Sequence, residues 1–283
     1  MKWLPAALCS AYLLLAWRLL GFHLEQAVLV ALFLGLYYAS GGTRRFILCF
    51  SPFLIYWILF DFMKAFPNYR VSPVHIRSLY EADSRLFRVG GLSVNEFFAA
   101  HRTRLLDVLS GSFYLCWIPV PLAVGFYLFA TRPEQAGRFS RCFLFVNFLG
   151  WIVYYTYPAA PPWYVQQYGF DLNVHTPGSA AGLLWWDQAL GVHLFRGLYA
   201  KSSNVFAAMP SLHSAYPLIA LYYGWKTPLK WICGVVAPGI WFAAVYTSQH
   251  YVLDVLAGIS CAVAGISLFE TGRIIFWRVS GSY

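Results

Sequence analysis

Charge is scarce in this chain. Of its 283 residues only 11% are Asp, Glu, Lys or Arg, where an ordinary soluble domain carries about a quarter. So few charges cannot solvate a globule of this size, which argues against a soluble fold. Acidic residues are the scarcer sign, 11 against 20 basic ones, for a formal net charge of +9. The Lys and Arg are spread through short segments between apolar blocks, not gathered on one soluble face. That distribution excludes a nucleic-acid surface as the economical reading and fits attraction to anionic lipid headgroups. Metal-ligand spacing of the His-Glu-x-x-His kind is missing, and no metal or other cofactor is expected. The six cysteines, Cys9, Cys49, Cys116, Cys142, Cys233 and Cys261, sit in or beside apolar stretches and read as small hydrophobes with reduced thiols. Internal repeats and low-complexity tracts are also lacking, so one membrane domain is expected.

What is abundant is apolar surface. Hydrophobic residues make up 60% of the chain, and they come in long blocks rather than stripes. Many of the 12 Trp, 20 Tyr and 24 Phe flank those blocks, as interfacial belts do. The first block is read as a retained helix, not a cleaved signal peptide, because no small-residue cleavage site stands out and Arg18 interrupts its tail. Eight segments are candidates to cross a bilayer: 3–20, 25–40, 46–62, 105–130, 142–158, 210–225, 231–248 and 251–268. With eight crossings, Lys2, Arg44 and Arg45, the arginines of 131–141, Lys226 and Lys230, and Arg273 and Arg278 all fall on one side. By the positive-inside rule that side is cytoplasmic. The opposite side receives the long segments 63–104 and 159–209. The fold class is therefore all-α and polytopic, with about eight transmembrane helices.

Two short motifs carry chemistry. Pro210-Ser211-Leu212-His213 opens the sixth segment, with proline suited to a first helical turn. His250 and Asp254 are four apart at the start of the eighth, so on a helix they share a face. The two histidines are 37 residues apart, enough for one helix down, a turn and one helix back. Both should then return to the same membrane face and meet. A carboxylate inside lipid costs about 3 kcal/mol and is rarely there without a partner or a task. If Asp254 accepts the Nδ1 proton of His250, Nε2 is left free as a nucleophile, and a protonated His213 can serve as the acid. A metal site remains the rival for such a set.

The Pro-Ser-Leu-His run resembles the second signature of the type 2 phosphatidic acid phosphatase superfamily, and His250-x-x-x-Asp254 the end of its third. The resemblance implies a six-helix core with two helices in front, dividing the chain into 1–45, a catalytic core 46–270 and a cytoplasmic tail 271–283. It implies His250 as the nucleophile forming a phosphohistidine, Asp254 as its orienting partner, His213 as general acid, and no metal. There are departures: Leu212 stands where the pattern has Gly, Ala244 where it has Arg, and the first signature is not intact. A narrower likeness fits better. Tyr157 to Tyr164 (YPAAPPWY), the Leu of Pro-Ser-Leu-His-Ser and Tyr246 to Tyr251 (YTSQHY) resemble the inositol phosphorylceramide synthase, or aureobasidin-resistance, family over residues 60–265. That family implies transfer of phosphoinositol from a glycerophospholipid donor to a ceramide-like acceptor, releasing diacylglycerol. The short chain suits a bacterial member, placed in the inner membrane with its site on the non-cytoplasmic side. Lys64, Arg70, Lys201, Ser211, Trp163 and Tyr164 are the candidate substrate-binding residues, with Arg77, Arg102, Arg104 and Arg196 on the same side. The alternatives are a lipid phosphate phosphatase on the same scaffold and a lipid transporter that leaves the histidines unused. Oligomeric state is left open.

Overall fold

A computed structural model describes residues 3–200 and 204–280, with side-chain surroundings through 275. Fourteen α-helices occur among the described residues. They are α1 (Leu4–Leu20), α2 (Leu24–Ala39), α3 (Gly41–Phe62), α4 (Arg77–Leu86), α5 (Val94–Ala100), α6 (Arg104–Leu115) and α7 (Pro119–Thr131). Then come α8 (Pro133–Thr156), α9 (Pro162–Tyr168), α10 (Leu183–Leu190), α11 (Leu194–Ala200), α12 (Leu212–Gly224), α13 (Lys230–Tyr246) and α14 (Val252–Ser280). One small hairpin pairs β1 (Arg88–Val89) with β2 (Leu92–Ser93). Its two-residue turn is Gly90-Gly91, both at positive φ, where a side chain would be strained.

Each of the eight apolar segments falls on helix, and the differences lie at their ends and breaks. The segment 105–130, expected as one span, is α6 and α7, bent by 41°. Pro119 opens the second helix because it cannot donate the hydrogen bond that would continue the first. Residues 41–45, expected as a loop, are the first turn of α3, where the Ser40 hydroxyl accepts from the Thr43 N–H. The helix α8 starts at Pro133, ahead of the expected 142, and α14 runs on past 268. By length and composition α3 and 252–275 of α14 are long and apolar enough to cross a membrane, and the bent pair α6–α7 makes a third. Shorter apolar helices are α1, α2 and α13. Leu8, Leu14, Leu32, Trp57, Trp231 and Val235 are exposed on these helices, and apolar surface of that extent needs lipid as its solvent. The chain is an all-α membrane protein.

At the centre lies α12, in contact with α7, α8, α13 and α14. It buries Ala215, Tyr216, Ile219, Ala220 and Tyr223. Burying Tyr216 requires partners for its hydroxyl, and these are Asn147 Oδ1 at 2.8 Å and the Tyr56 hydroxyl at 3.1 Å. At one end of the bundle Glu270 of α14 accepts from Arg138 at 2.9 Å, Arg273 at 3.0 Å and the Tyr223 hydroxyl at 2.5 Å. Arg132 reaches the Lys226 carbonyl at 3.0 Å. Three of the basic segments assigned to one side by sequence, those holding Arg132 and Arg138, Lys226, and Arg273, therefore meet at one end. The histidines lie at the other end of α12 and α14.

Candidate active site

The site is built from the starts of two helices. Ser211 caps α12, its hydroxyl accepting from the Ser214 N–H, which places His213 in the first turn. Ser211 N–H donates to the Asp254 carbonyl at 2.9 Å, which ties the start of α12 to the start of α14. Gly258 makes that closeness possible: a Cβ there would meet the Ser211 carbonyl oxygen at 2.1 Å. Before α14 the chain turns through Thr247–His250, with Ser248 at φ 57°. The Ala244 carbonyl accepts both the Gln249 and His250 N–H groups. Asn95 of α5 closes the turn from outside, donating to the Val245 carbonyl at 2.8 Å and the His250 carbonyl at 3.1 Å.

The turn brings His250 Nε2 to 3.3 Å from His213 Nδ1. His250 Nδ1 is 2.9 Å from the Ala208 carbonyl oxygen. A carbonyl can only accept, so Nδ1 carries the proton and Nε2 the lone pair. The expectation that Asp254 takes this proton is corrected here. Its Oδ2 lies 3.6 Å from Nδ1 and accepts from the Tyr251 N–H at 2.8 Å. Asp254 is fully buried, and its Oδ1 has no hydrogen-bond partner. Its carboxyl stands beside the imidazole while a backbone carbonyl fixes the tautomer. Ala208 is held in turn by a ribbon of extended segments, in which His75 and Ala207 flank Ala159 in parallel bridges. Asn68 bonds the Tyr154 and Phe206 carbonyls at 2.9 and 2.8 Å, fixing the same ribbon.

Both imidazoles line a cavity of about 110 Å³, with Trp163, Ser179, Tyr199 and Asn204 among its walls. A single water needs about 10–15 Å³ on this measure, so the space exceeds what one water needs several times over. Among the described residues that line it, none is Lys, Arg, Asp or Glu. Two helix starts, α12 and α14, supply positive dipole ends there instead. A wider cleft bounded by Arg102, Arg104 and Trp185 holds neither histidine.

The other expected binding residues divide. Trp163 is buried in the cavity wall, its N–H on the Ser248 carbonyl. Tyr164, in the first turn of α9, has its hydroxyl between the Asp171 carbonyl and the Asn173 N–H, which holds the loop after it. Ser211 is buried as a helix cap. Lys64 pairs with Asp61 at 2.7 Å, Arg70 is exposed, and neither lines the cavity. Lys201 lies outside the described residues. Asp83 of α4 accepts from the Leu253 N–H at 2.9 Å, and burial pushes its carboxyl up to about 6. Sequence reasoning did not find Asn68, Asp83, Asn95 or Tyr114. For Asn68, Asp83 and Asn95 the one available signal was a polar residue in a mixed segment, which many surface residues share, and Tyr114 was one aromatic residue among many in an apolar one. Among the described residues no group of three His, Cys, Asp or Glu could hold a metal.

A profile of the PAP2 superfamily matches residues 77–268. The chain is 42% identical to the phosphoinositol dihydroceramide synthase of Bacteroides thetaiotaomicron, over 93% of this chain and 89% of that one. It is 28% identical to the inositol phosphorylceramide synthase catalytic subunit AUR1 of Saccharomyces cerevisiae, over 82% of this chain and 58% of the relative. Against the inositol phosphorylceramide synthase of Candida albicans it is 28% identical, over 81% and 48%. The fungal relatives are thus the longer chains. No solved structure matches.

Proposed function

The chain belongs to the PAP2 superfamily, and on that footing we propose that it moves phosphoinositol from a glycerophospholipid onto ceramide or dihydroceramide, releasing diacylglycerol. The observation that carries this reading is the lone pair of His250 Nε2 held 3.3 Å from His213 Nδ1 in a cavity whose described lining has no Lys, Arg, Asp or Glu. The similarity to a phosphoinositol dihydroceramide synthase over nearly the whole of both chains supports the choice of headgroup and acceptor.

In the first step His250 Nε2 attacks the donor phosphorus and the P–O bond to diacylglycerol breaks. His213, as imidazolium favoured by the phosphodiester charge, gives its Nδ1 proton to the departing oxygen. The headgroup phosphate now rests on Nε2 as a phosphohistidine. In the second step a ceramide hydroxyl attacks phosphorus, its proton returns to His213, and the P–N bond breaks. Asp254 stabilises the charge that builds on the His250 ring. No residue here needs a metal to act.

A diester suits this cavity better than a monoester does. It carries one negative charge, which the two helix starts and the protonated His213 can meet. A phosphate monoester is a dianion, and the position where the phosphatase pattern has Arg is Ala244, fully buried beside Tyr114 and Leu183. A transferase must also keep water off the intermediate, and Trp163 and Pro161 wall the cavity. The eight apolar segments are taken as eight crossings, with the basic end cytoplasmic and the histidines at the outer face of a bacterial inner membrane.

The test is incubation of the purified protein with labelled phosphatidylinositol and ceramide. Labelled phosphoinositol ceramide and unlabelled diacylglycerol in equal amounts are expected. Steady release of free headgroup phosphate with no sphingolipid product would reject transfer. Phosphate release from phosphatidic acid would favour the phosphatase reading instead.

A further inference from the structure

His213 has a second partner that the two-histidine scheme does not use. The Tyr114 hydroxyl lies 3.2 Å from the same Nδ1 that faces His250. Tyr114 sits on α6, is fully buried, and receives a hydrogen bond from the Tyr199 hydroxyl of α11 at 3.3 Å. Tyr199 itself lines the cavity with both histidines. A file of hydroxyls thus runs from the cavity wall to the back of the acid.

We propose that Tyr114, backed by Tyr199, is a positioning pair that satisfies His213 Nδ1 in both of its protonation states. Resting on the transferase reading above, the proposal adds two residues and one role to it. Consider what Nδ1 needs. His250 Nδ1–H is committed to the Ala208 carbonyl, so His250 Nε2 can only accept. In the resting site Nδ1 of His213 must therefore carry a proton to meet it. Once that proton has gone to the departing oxygen, Nδ1 is a bare acceptor beside a phosphohistidine that offers it nothing. A buried acceptor without a donor costs about 1–3 kcal/mol. A phenol resolves both cases, because one hydroxyl can share Nδ1–H with His250 Nε2 and then swing to donate to Nδ1. A carbonyl or an ammonium could serve only one state. When Tyr114 donates, its oxygen still accepts from Tyr199, and when it accepts from Nδ1–H its own proton can turn to the Tyr199 oxygen, so the file stays complete in each half of the cycle.

Packing keeps the file in register. The Tyr114 ring lies 5.0 Å from the His213 ring and 6.5 Å from Phe195 of α11. Trp117 meets the His213 ring edge to face at 4.9 Å. Burial pushes the Tyr199 hydroxyl up to about 12, so that phenol stays protonated in working conditions and acts by reorienting its hydrogen bonds.

The test uses Tyr114→Phe and Tyr199→Phe, which keep ring packing and delete only the hydroxyls. The purified full chain is assayed with phosphatidylinositol and ceramide across pH 5 to 9. Tyr114→Phe is expected to lower kcat by about tenfold, the scale of one lost hydrogen bond to a charged or reacting group. KM for both lipids should stay within about twofold by the same reasoning, since neither hydroxyl is assigned to binding. The pH at which kcat is half-maximal should shift, because His213 has lost the partner that buffers its two forms. Tyr199→Phe should show the same pattern more weakly, and the double variant should add little to Tyr114→Phe alone. An unchanged kcat and pH profile in Tyr114→Phe would overturn the proposal. Equal losses in kcat, yield and melting temperature, with an unmoved pH profile, would reduce Tyr114 to a packing residue and overturn it too. Absence of transfer in the unaltered protein would instead reject the transferase reading, so the two failures are distinguishable.

Discussion

At the scale of single residues, the catalytic proposal turns on where the His250 Nδ1 proton goes. It goes to the Ala208 carbonyl at 2.9 Å, with Asp254 Oδ2 farther away at 3.6 Å. The two arrangements have different mutational signatures. An aspartate that alone fixes the tautomer costs about 10⁴-fold when changed to asparagine, as serine proteases show. Here the carbonyl keeps the tautomer, so Asp254→Asn should lower kcat by only about 10- to 100-fold, by loss of charge stabilisation. His250→Ala should lower it by about a thousandfold or more, because the covalent route disappears. Steady-state transfer assays on the two variants check the ordering. The histidines and Asp254 were legible in sequence because their spacing and an unexplained carboxylate in an apolar segment announce them. The Ala208 carbonyl was not, since a backbone group has no letter of its own. Lys64 stands outside the cavity for a local reason: Asp61, in the last turn of α3, holds its ammonium at 2.7 Å.

Among elements, the decisive fit is between the starts of α12 and α14. A Cβ on Gly258 would lie 2.1 Å from the Ser211 carbonyl oxygen, closer than any relaxed contact, and that oxygen is backbone. Gly258→Ala must therefore push the helices apart. A stability loss of about 1–3 kcal/mol is expected from overpacking, with a larger proportional loss of activity, because His213 and His250 ride on the two elements that separate. Gly234→Ala on α13, with nothing within 4 Å, is the control and should be neutral or mildly stabilising. Melting in detergent and transfer rate measure both. The start of α14 has a second support in Asp83. Its carboxyl is pushed from an ordinary 3.8 up to about 6 by burial, with the nearby Asp254 charge adding to the effect. A folded-state value above the unfolded one means stability that is full below pH about 4 and lost as pH rises through about 6. Asp83→Asn keeps an acceptor for the Leu253 N–H without the charge. The melting temperature of the unaltered protein, relative to that variant, should therefore fall between pH 4 and 6 and be flat above 7. A constant difference across that range would show that Asp83 does not titrate there. The sequence showed α12 and α14 as apolar blocks but could not show their contact, which depends on one missing methyl group and a carboxylate 170 positions away.

For the whole molecule, two ends are chemically distinct. Glu270 and its arginines lie 16 residues along α14 from Asp254, about 24 Å at helical rise, most of a hydrocarbon core. With the basic end cytoplasmic, an impermeant thiol reagent on intact cells should label Gln167→Cys and spare Lys226→Cys until the membrane is opened. The reverse pattern would place the histidines inside the cell. Long apolar blocks and scarce charge made an all-α membrane protein readable from sequence. The break at 116–118 and the early start of α8 were not, because hydropathy averages over a proline and follows composition, whereas helices follow hydrogen bonds.

The most direct measurement is mass spectrometry of the protein after brief exposure to phosphatidylinositol with no ceramide present, quenched under alkaline conditions that preserve phosphorus–nitrogen bonds. Expected is a phosphoinositol adduct on the peptide containing His250, absent in His250→Ala and discharged when ceramide is added. An unmodified His250 in protein that still makes phosphoinositol ceramide would contradict a covalent relay through that imidazole.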